Sequence, residues 1–223
     1  EHAQLLQPLG EHLHRRAVRL QKIVARLHLL ERRLLRLEHQ LVDLPLLLRE
    51  LLGLDLEHTS GGRGVRVAVL DTGMDLGHPD FAGRRIVARS FIAGQTVQDG
   101  HGHGTHCIGT ACGPLRPSRL PRYGIAYDAD IYVGKVLSNQ GSGADGGILA
   151  GIEWAVSNGC AIISMSLGAP TVIGQPFSQV YETVARRAMA AGTLIIAAAG
   201  NSSNRPQVIR PVGHPANCPF ERH

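Results

Sequence analysis

Val67-Ala68-Val69-Leu70-Asp71-Thr72-Gly73 is a run of apolar residues that ends in a carboxylate, a hydroxyl and a glycine. Successive apolar residues with no polar alternation read as a strand buried on both faces, the pattern of a parallel sheet. A strand of that kind must be covered by helices, and the chain on its C-terminal side supplies them. Similar apolar runs recur at 86–91, 131–137, 162–166 and 194–199, with helical stretches expected at about 103–112, 146–158 and 175–191. Strands alternating with helices imply βαβ units, so the expected fold is α/β, a three-layer arrangement around a central parallel sheet.

Composition is compatible with that fold and narrows the function classes. The chain has 223 residues and 43% apolar content, enough to bury a substantial core, while aromatic residues make up only 4%. Aliphatic side chains, alanine and glycine must therefore do the packing. Net charge is +5, spread along the chain without interleaved aromatic residues, so no nucleic-acid surface is expected. The longest apolar run, 188–200, is too short and too rich in Gly and Ala to span a bilayer, and no membrane partner is expected. Cys107, Cys112, Cys160 and Cys218 show no C-x-x-C pairing and read as small buried thiols. No signal peptide is recognisable, and the sequence does not fix a compartment.

Residues 1–58 differ in character. Leucine stands at 6, 13, 20, 27, 34 and 41, with Leu9, Arg16, Ile23, Leu30, Leu37 and Leu44 between them. This is an a/d heptad pattern with Arg16 as its flaw, and Arg26–Glu31 and Arg33–Glu38 are spaced for ion pairs between parallel helices. Pro8 and Gly10 place the helix start near Glu11, and Pro45 ends it, because proline costs a helix interior about 3 kcal/mol. One reading is a homodimer through residues 11–44. Another is an amphipathic helix packed on the chain's own domain, favoured by the extra leucines 29, 35, 47, 48 and 51. A third is that the Leu/Arg/His-rich stretch comes from a wrong reading frame. Thr59-Ser60-Gly61-Gly62 is a linker by composition, dividing a helical segment, 1–58, from an α/β domain, 59–223.

Three segments bear chemistry. Asp71 lies at the carboxyl end of its strand, where sites are built in parallel sheets, although Asp before glycine is also an ordinary turn cap. His103 lies in His101-Gly102-His103-Gly104-Thr105-His106 and would begin a helix. There it can give one ring nitrogen to Asp71 and use the other as a general base. His101 reads as surface polarity and His106 as support for the helix. The cluster H-x-H-x-x-H followed by Cys107 also permits a zinc site, with Asp71 as ligand or second partner. Asn201, after the apolar run 194–199, suits an oxyanion donor, although Asn more often caps a turn. Gly141-Ser142-Gly143 and Ser166-Leu167-Gly168 could expose backbone to an extended peptide added as a strand.

VAVLDTG (67–73), HGTH (103–106), SLG (166–168) and AAAGN (197–201), in this order and spacing, resemble the subtilisin-like serine proteases, the subtilases of peptidase family S8. The likeness runs from about 62 to 218. It implies a subtilisin-like three-layer fold and peptide-bond hydrolysis of a polypeptide substrate by an Asp/His/Ser triad. Asp71 and His103 resemble two triad members, Asn201 the oxyanion donor, and 141–143 and 166–168 the segments flanking the substrate. The zinc reading falls behind it, and no metal or cofactor is expected.

Two departures follow. His78-Pro79-Asp80 matches a segment in which some subtilases use the Asp for calcium, but the loop Gly-Pro-Leu-Arg-Pro-Ser-Arg-Leu-Pro-Arg-Tyr-Gly (113–124) has no carboxylate, so no calcium site is expected. The family's serine lies in a G-T-S-M-A-x-P block, and no serine of this chain stands in that context. The expectation is therefore a domain incomplete at its C-terminus, inactive in isolation, with apolar surface exposed. The alternative class is a non-catalytic coiled-coil interaction protein with a degenerate protease domain.

Overall fold

The apolar run at 67–70 forms the middle of β1 (Arg66–Asp71), and in the computed structural model it lies at the centre of the sheet. The structure describes residues 61–204 and 206–219; the heptads of 1–58 fall outside them. Four further strands follow: β2 (Ile86–Ser90), β3 (Asp130–Lys135), β4 (Ile162–Met165) and β5 (Leu194–Ala197). They pair in the order β2-β3-β1-β4-β5, and every pair is parallel. The crossovers carry α1 (His103–Cys112), α2 (Asp145–Ser157) and α3 (Gln179–Ala190), and Pro79–Phe81 form a single 3-10 turn.

β1 alternates between two cores, as a strand covered on both sides must. Ala68 and Leu70 join Ile152, Ala155, Ile163 and Met165 beneath α2 and α3. Val67 and Val69 join Ile108, Cys112, Ile131 and Val133 beneath α1. The fold is thus the expected three-layer α/β arrangement. Along β5 only one face is covered: Ile195 and Ala197 pack on the α2–α3 core, whereas Leu194 and Ile196 are more than half exposed.

The sheet ends where the site begins. Val136 and Leu137 both donate to the Asp71 carbonyl, at 2.9 and 3.0 Å, so β3 stops at Lys135 and the chain wraps the end of β1. α3 begins four residues later than the pattern suggests. Pro176 disfavours the helical conformation at Gln175, which instead closes a turn onto Val172. Cys112, Cys160 and Cys218 are buried free thiols, and Cys107 is half-buried. Among the described residues no helix is long and apolar enough to cross a membrane.

Candidate active site

Asp71 is the last residue of β1 and His103 the first of α1, and the topology brings these two ends together. Asp71 Oδ1 lies 2.7 Å from His103 Nδ1 and also accepts the Thr72 amide at 2.7 Å. The carboxylate is buried at 1% exposure, while the imidazole is 41% exposed. The pair is therefore asymmetric. Its acid is sealed in the protein, and its base opens on a cleft of about 790 Å³. Asp71 Oδ2 has no hydrogen-bond partner among the described residues.

The close approach of α1 to the end of β1 depends on glycine. A Cβ on Gly104 would stand 2.2 Å from the Gly73 carbonyl oxygen, so only glycine lets the first turn of the helix rest on the Asp-Thr-Gly turn. Gly73 itself has φ +105, and a Cβ there would meet the Val97 carbonyl oxygen at 2.1 Å.

His103 and Asn201 line the cleft together with Gly141, Ser142, Gly143, Ser166, Leu167 and Gly168. Segment 166–168 is backed by a short antiparallel bridge in which Ala169 and His214 exchange hydrogen bonds at 3.0 and 2.9 Å. Segment 141–143 is a turn closed by Ser138, whose amide donates to the Ser142 carbonyl at 2.7 Å. Asn201 follows β5 and is exposed. Both segments and His103 face the same cleft.

The model of the Subtilase family matches residues 62–220. The chain belongs to the subtilase family. Over 166 residues it is 39% identical to a cuticle-degrading protease of Metarhizium anisopliae, covering 71% of this chain and 39% of that protein. It is 40% identical to Subtilisin E of Bacillus subtilis (strain 168), covering 73% of this chain and 41% of the relative. Against Subtilisin of Bacillus pumilus the identity is 39%, covering 73% and 57%. The chain thus spans about two fifths to just over half the length of these relatives.

Several residues around the Asp71–His103 pair and the cleft have no sequence signal strong enough to single them out. Lys135, at the end of β3, is fully buried, and its ammonium donates to the Thr72 carbonyl and to Asn139 Oδ1, the latter at 2.8 Å. Burial pushes this ammonium below the usual lysine value, against the opposing pull of the Asp99 and Asp71 carboxylates. Thr72 and Asp99 are similarly placed beside the pair. Arg210 and His214 line the cleft. His101, read as surface polarity, is exposed but stands at the rim, with its ring 6.2 Å from that of His103. His106 is exposed on α1.

The three histidines do not converge as the zinc reading requires. The donor atoms that do approach one another, within 4.8 Å, belong to Asp71, His103 and Cys107. This set fits a metal poorly. His103 Nδ1 is engaged by Asp71, and burial raises the Cys107 thiol above its ordinary value, helped by the Asp71 carboxylate and opposed by a hydrogen bond with Ser166.

Asp80 does not fit calcium either. Its carboxylate accepts the Ser118 amide at 2.6 Å and the Tyr123 hydroxyl, donors that would point at a cation. The Tyr123 bond, then the Ser118 bond, holds Asp80 below the usual carboxylate range.

Proposed function

We propose that this chain carries the acid–base part of a subtilisin-type serine endopeptidase site, with Asp71 orienting His103 for proton transfer in peptide-bond hydrolysis. The observation that carries this reading is the 2.7 Å bond between a buried carboxylate and an imidazole open to the cleft. Nδ1–H donates to Asp71, which fixes the tautomer and leaves Nε2 to take a proton from a nucleophile and return it to the leaving amine. The Asn201 side-chain amide is the oxyanion donor. Segments 141–143 and 166–168 receive the polypeptide substrate as an added strand. The names of the relatives, proteases and subtilisins, support the same reaction class.

The nucleophile is the part not supplied. Among the described residues His103 bonds to Asp71 and approaches Cys107, and no serine hydroxyl is bonded to its Nε2. The isolated chain is therefore proposed to bind peptide without cleaving it. The site needs no metal or cofactor for this chemistry. Titrating the isotopically labelled chain with an end-blocked extended peptide tests the reading. The amides of Gly141, Gly143, Leu167 and Gly168 should shift while the peptide stays intact. Shifts confined to surfaces away from the cleft would refute the substrate placement. The heptads support a further proposal, a homodimer through residues 11–44, and sedimentation of the chain as a monomer would remove it.

A further inference from the structure

We infer that Asp99 is a positioning residue for the Asp71–His103 pair, a role that rests on the proposed acid–base function. Its carboxylate ties the turn after β1 to the first turn of α1, and so sets the bond between the two working side chains.

The bonding is complete on both oxygens. Asp99 Oδ1 accepts from Thr72 Oγ1 at 2.9 Å, from the His101 amide at 3.0 Å and from the Gly102 amide at 2.8 Å. Oδ2 accepts from the Thr105 amide at 2.9 Å and the Thr105 hydroxyl at 2.7 Å. These donors bracket the pair: Thr72 follows Asp71, and Gly102 and Thr105 flank His103. Asp99 itself is fixed to the same turn, since its amide donates to the Met74 carbonyl at 3.1 Å and Met74 donates to Val97 at 3.0 Å.

An acceptor-only group also orders the hydroxyls around it. Each threonine hydroxyl has one proton, and both protons point at Asp99. Thr72 Oγ1 is then free to accept the Gly104 amide at 2.8 Å, and Thr105 Oγ1 to accept the Asp75 amide at 2.9 Å. Both bonds join the helix start to the β1 turn. Asparagine at position 99 has nearly the same shape but must aim an N–H₂ at one set of donors. Either the Thr105 pair or the Thr72–His101–Gly102 set then faces a donor. Burial pushes the Asp99 carboxyl upward, but the bonds from Thr105, Gly102 and His101 together outweigh it, so the group stays ionised through the neutral range. The Lys135 ammonium, bonded to the Thr72 carbonyl, holds the same turn, and the Asp99 carboxylate favours its charged form.

The test reads the His103 Nδ1–H proton of the full chain by NMR with ¹⁵N-labelled histidine, a signal that needs no turnover. In the wild type this proton should resonate far downfield and disappear in Asp71→Asn. In Asp99→Asn and in Thr105→Val it should move upfield or exchange with water about tenfold faster or more, as expected on losing bonds to a charged acceptor. Thr105→Ser, which keeps the hydroxyl, should restore the wild-type signal. Circular dichroism establishes that each variant is folded, and if Asp99→Asn is not, the Thr105 pair decides. Unchanged position and exchange in the folded variants would overturn the positioning role while leaving the Asp71–His103 pair intact. A wild-type spectrum with no such proton would overturn the pair itself, and the role of Asp99 with it.

Discussion

At the scale of single residues, the site is a matter of how closely two backbone turns approach. Gly104→Ala should show this directly. Alanine is the better helix former by about 1 kcal/mol, yet its Cβ would lie 2.2 Å from a backbone oxygen of Gly73 that has little freedom to move. Overpacking of this kind costs about 1–3 kcal/mol, so the urea midpoint should fall rather than rise. Acid provides a second probe. The Asp99 carboxyl is held far below its ordinary value of 3.8 in the folded chain, so it stabilises the fold fully above that value. That contribution is lost as pH falls from about 4 toward the depressed folded value. Stability against urea should decline over this acidic window, and Asp99→Asn should flatten the decline. Asp71 and His103 are legible in the sequence because the buried run and the Gly-flanked histidine announce them. Thr72, Asp99 and Lys135 are not: Thr72 meets Asp99 across 27 positions and Lys135 meets Thr72 across 63, and the local bonds of Asp99 to His101, Gly102 and Thr105 carry no signal of that meeting.

At the scale of elements, the pattern of apolar runs located every strand and helix of the described region to within a few residues. The ends moved where tertiary contacts took over. The stretch 131–137 reads as one strand, but two of its amides are captured by the Asp71 carbonyl, and β3 ends there. The stretch 175–191 reads as one helix, but Pro176 delays the start of α3 to Gln179. The segment His78-Pro79-Asp80 is recognisable, but only the structure gives the partners of its carboxylate, an amide and a phenol from the basic loop. Both are donors, so millimolar calcium should leave the thermal midpoint of the chain unchanged. A rise of several degrees on adding calcium, reversed by a chelator, would contradict this assignment.

At the scale of the whole molecule, one cleft is lined by His103, Asn201 and the segments 141–143 and 166–168, with Asp71 bonded to His103. Both edge strands are partly exposed, β2 at Val87 and β5 along one face. Leu194 and Ile196 expose one apolar face of β5, at 53% and 52%. The four motifs are short, and each alone has an ordinary structural explanation. Their order and spacing made the family legible, because the fold requires strand end, helix start and cleft walls to meet at one place. The heptads of 1–58 carry a pattern that is equally regular, but periodicity alone does not name the surface it faces. The central proposal is that Asp71 and His103 form a working pair and that no serine among the described residues serves as its nucleophile. Exposure of the purified chain to a fluorophosphonate, read by intact mass, tests it most directly. The account predicts no adduct, whereas one adduct per chain on a serine, abolished by His103→Ala, would contradict it.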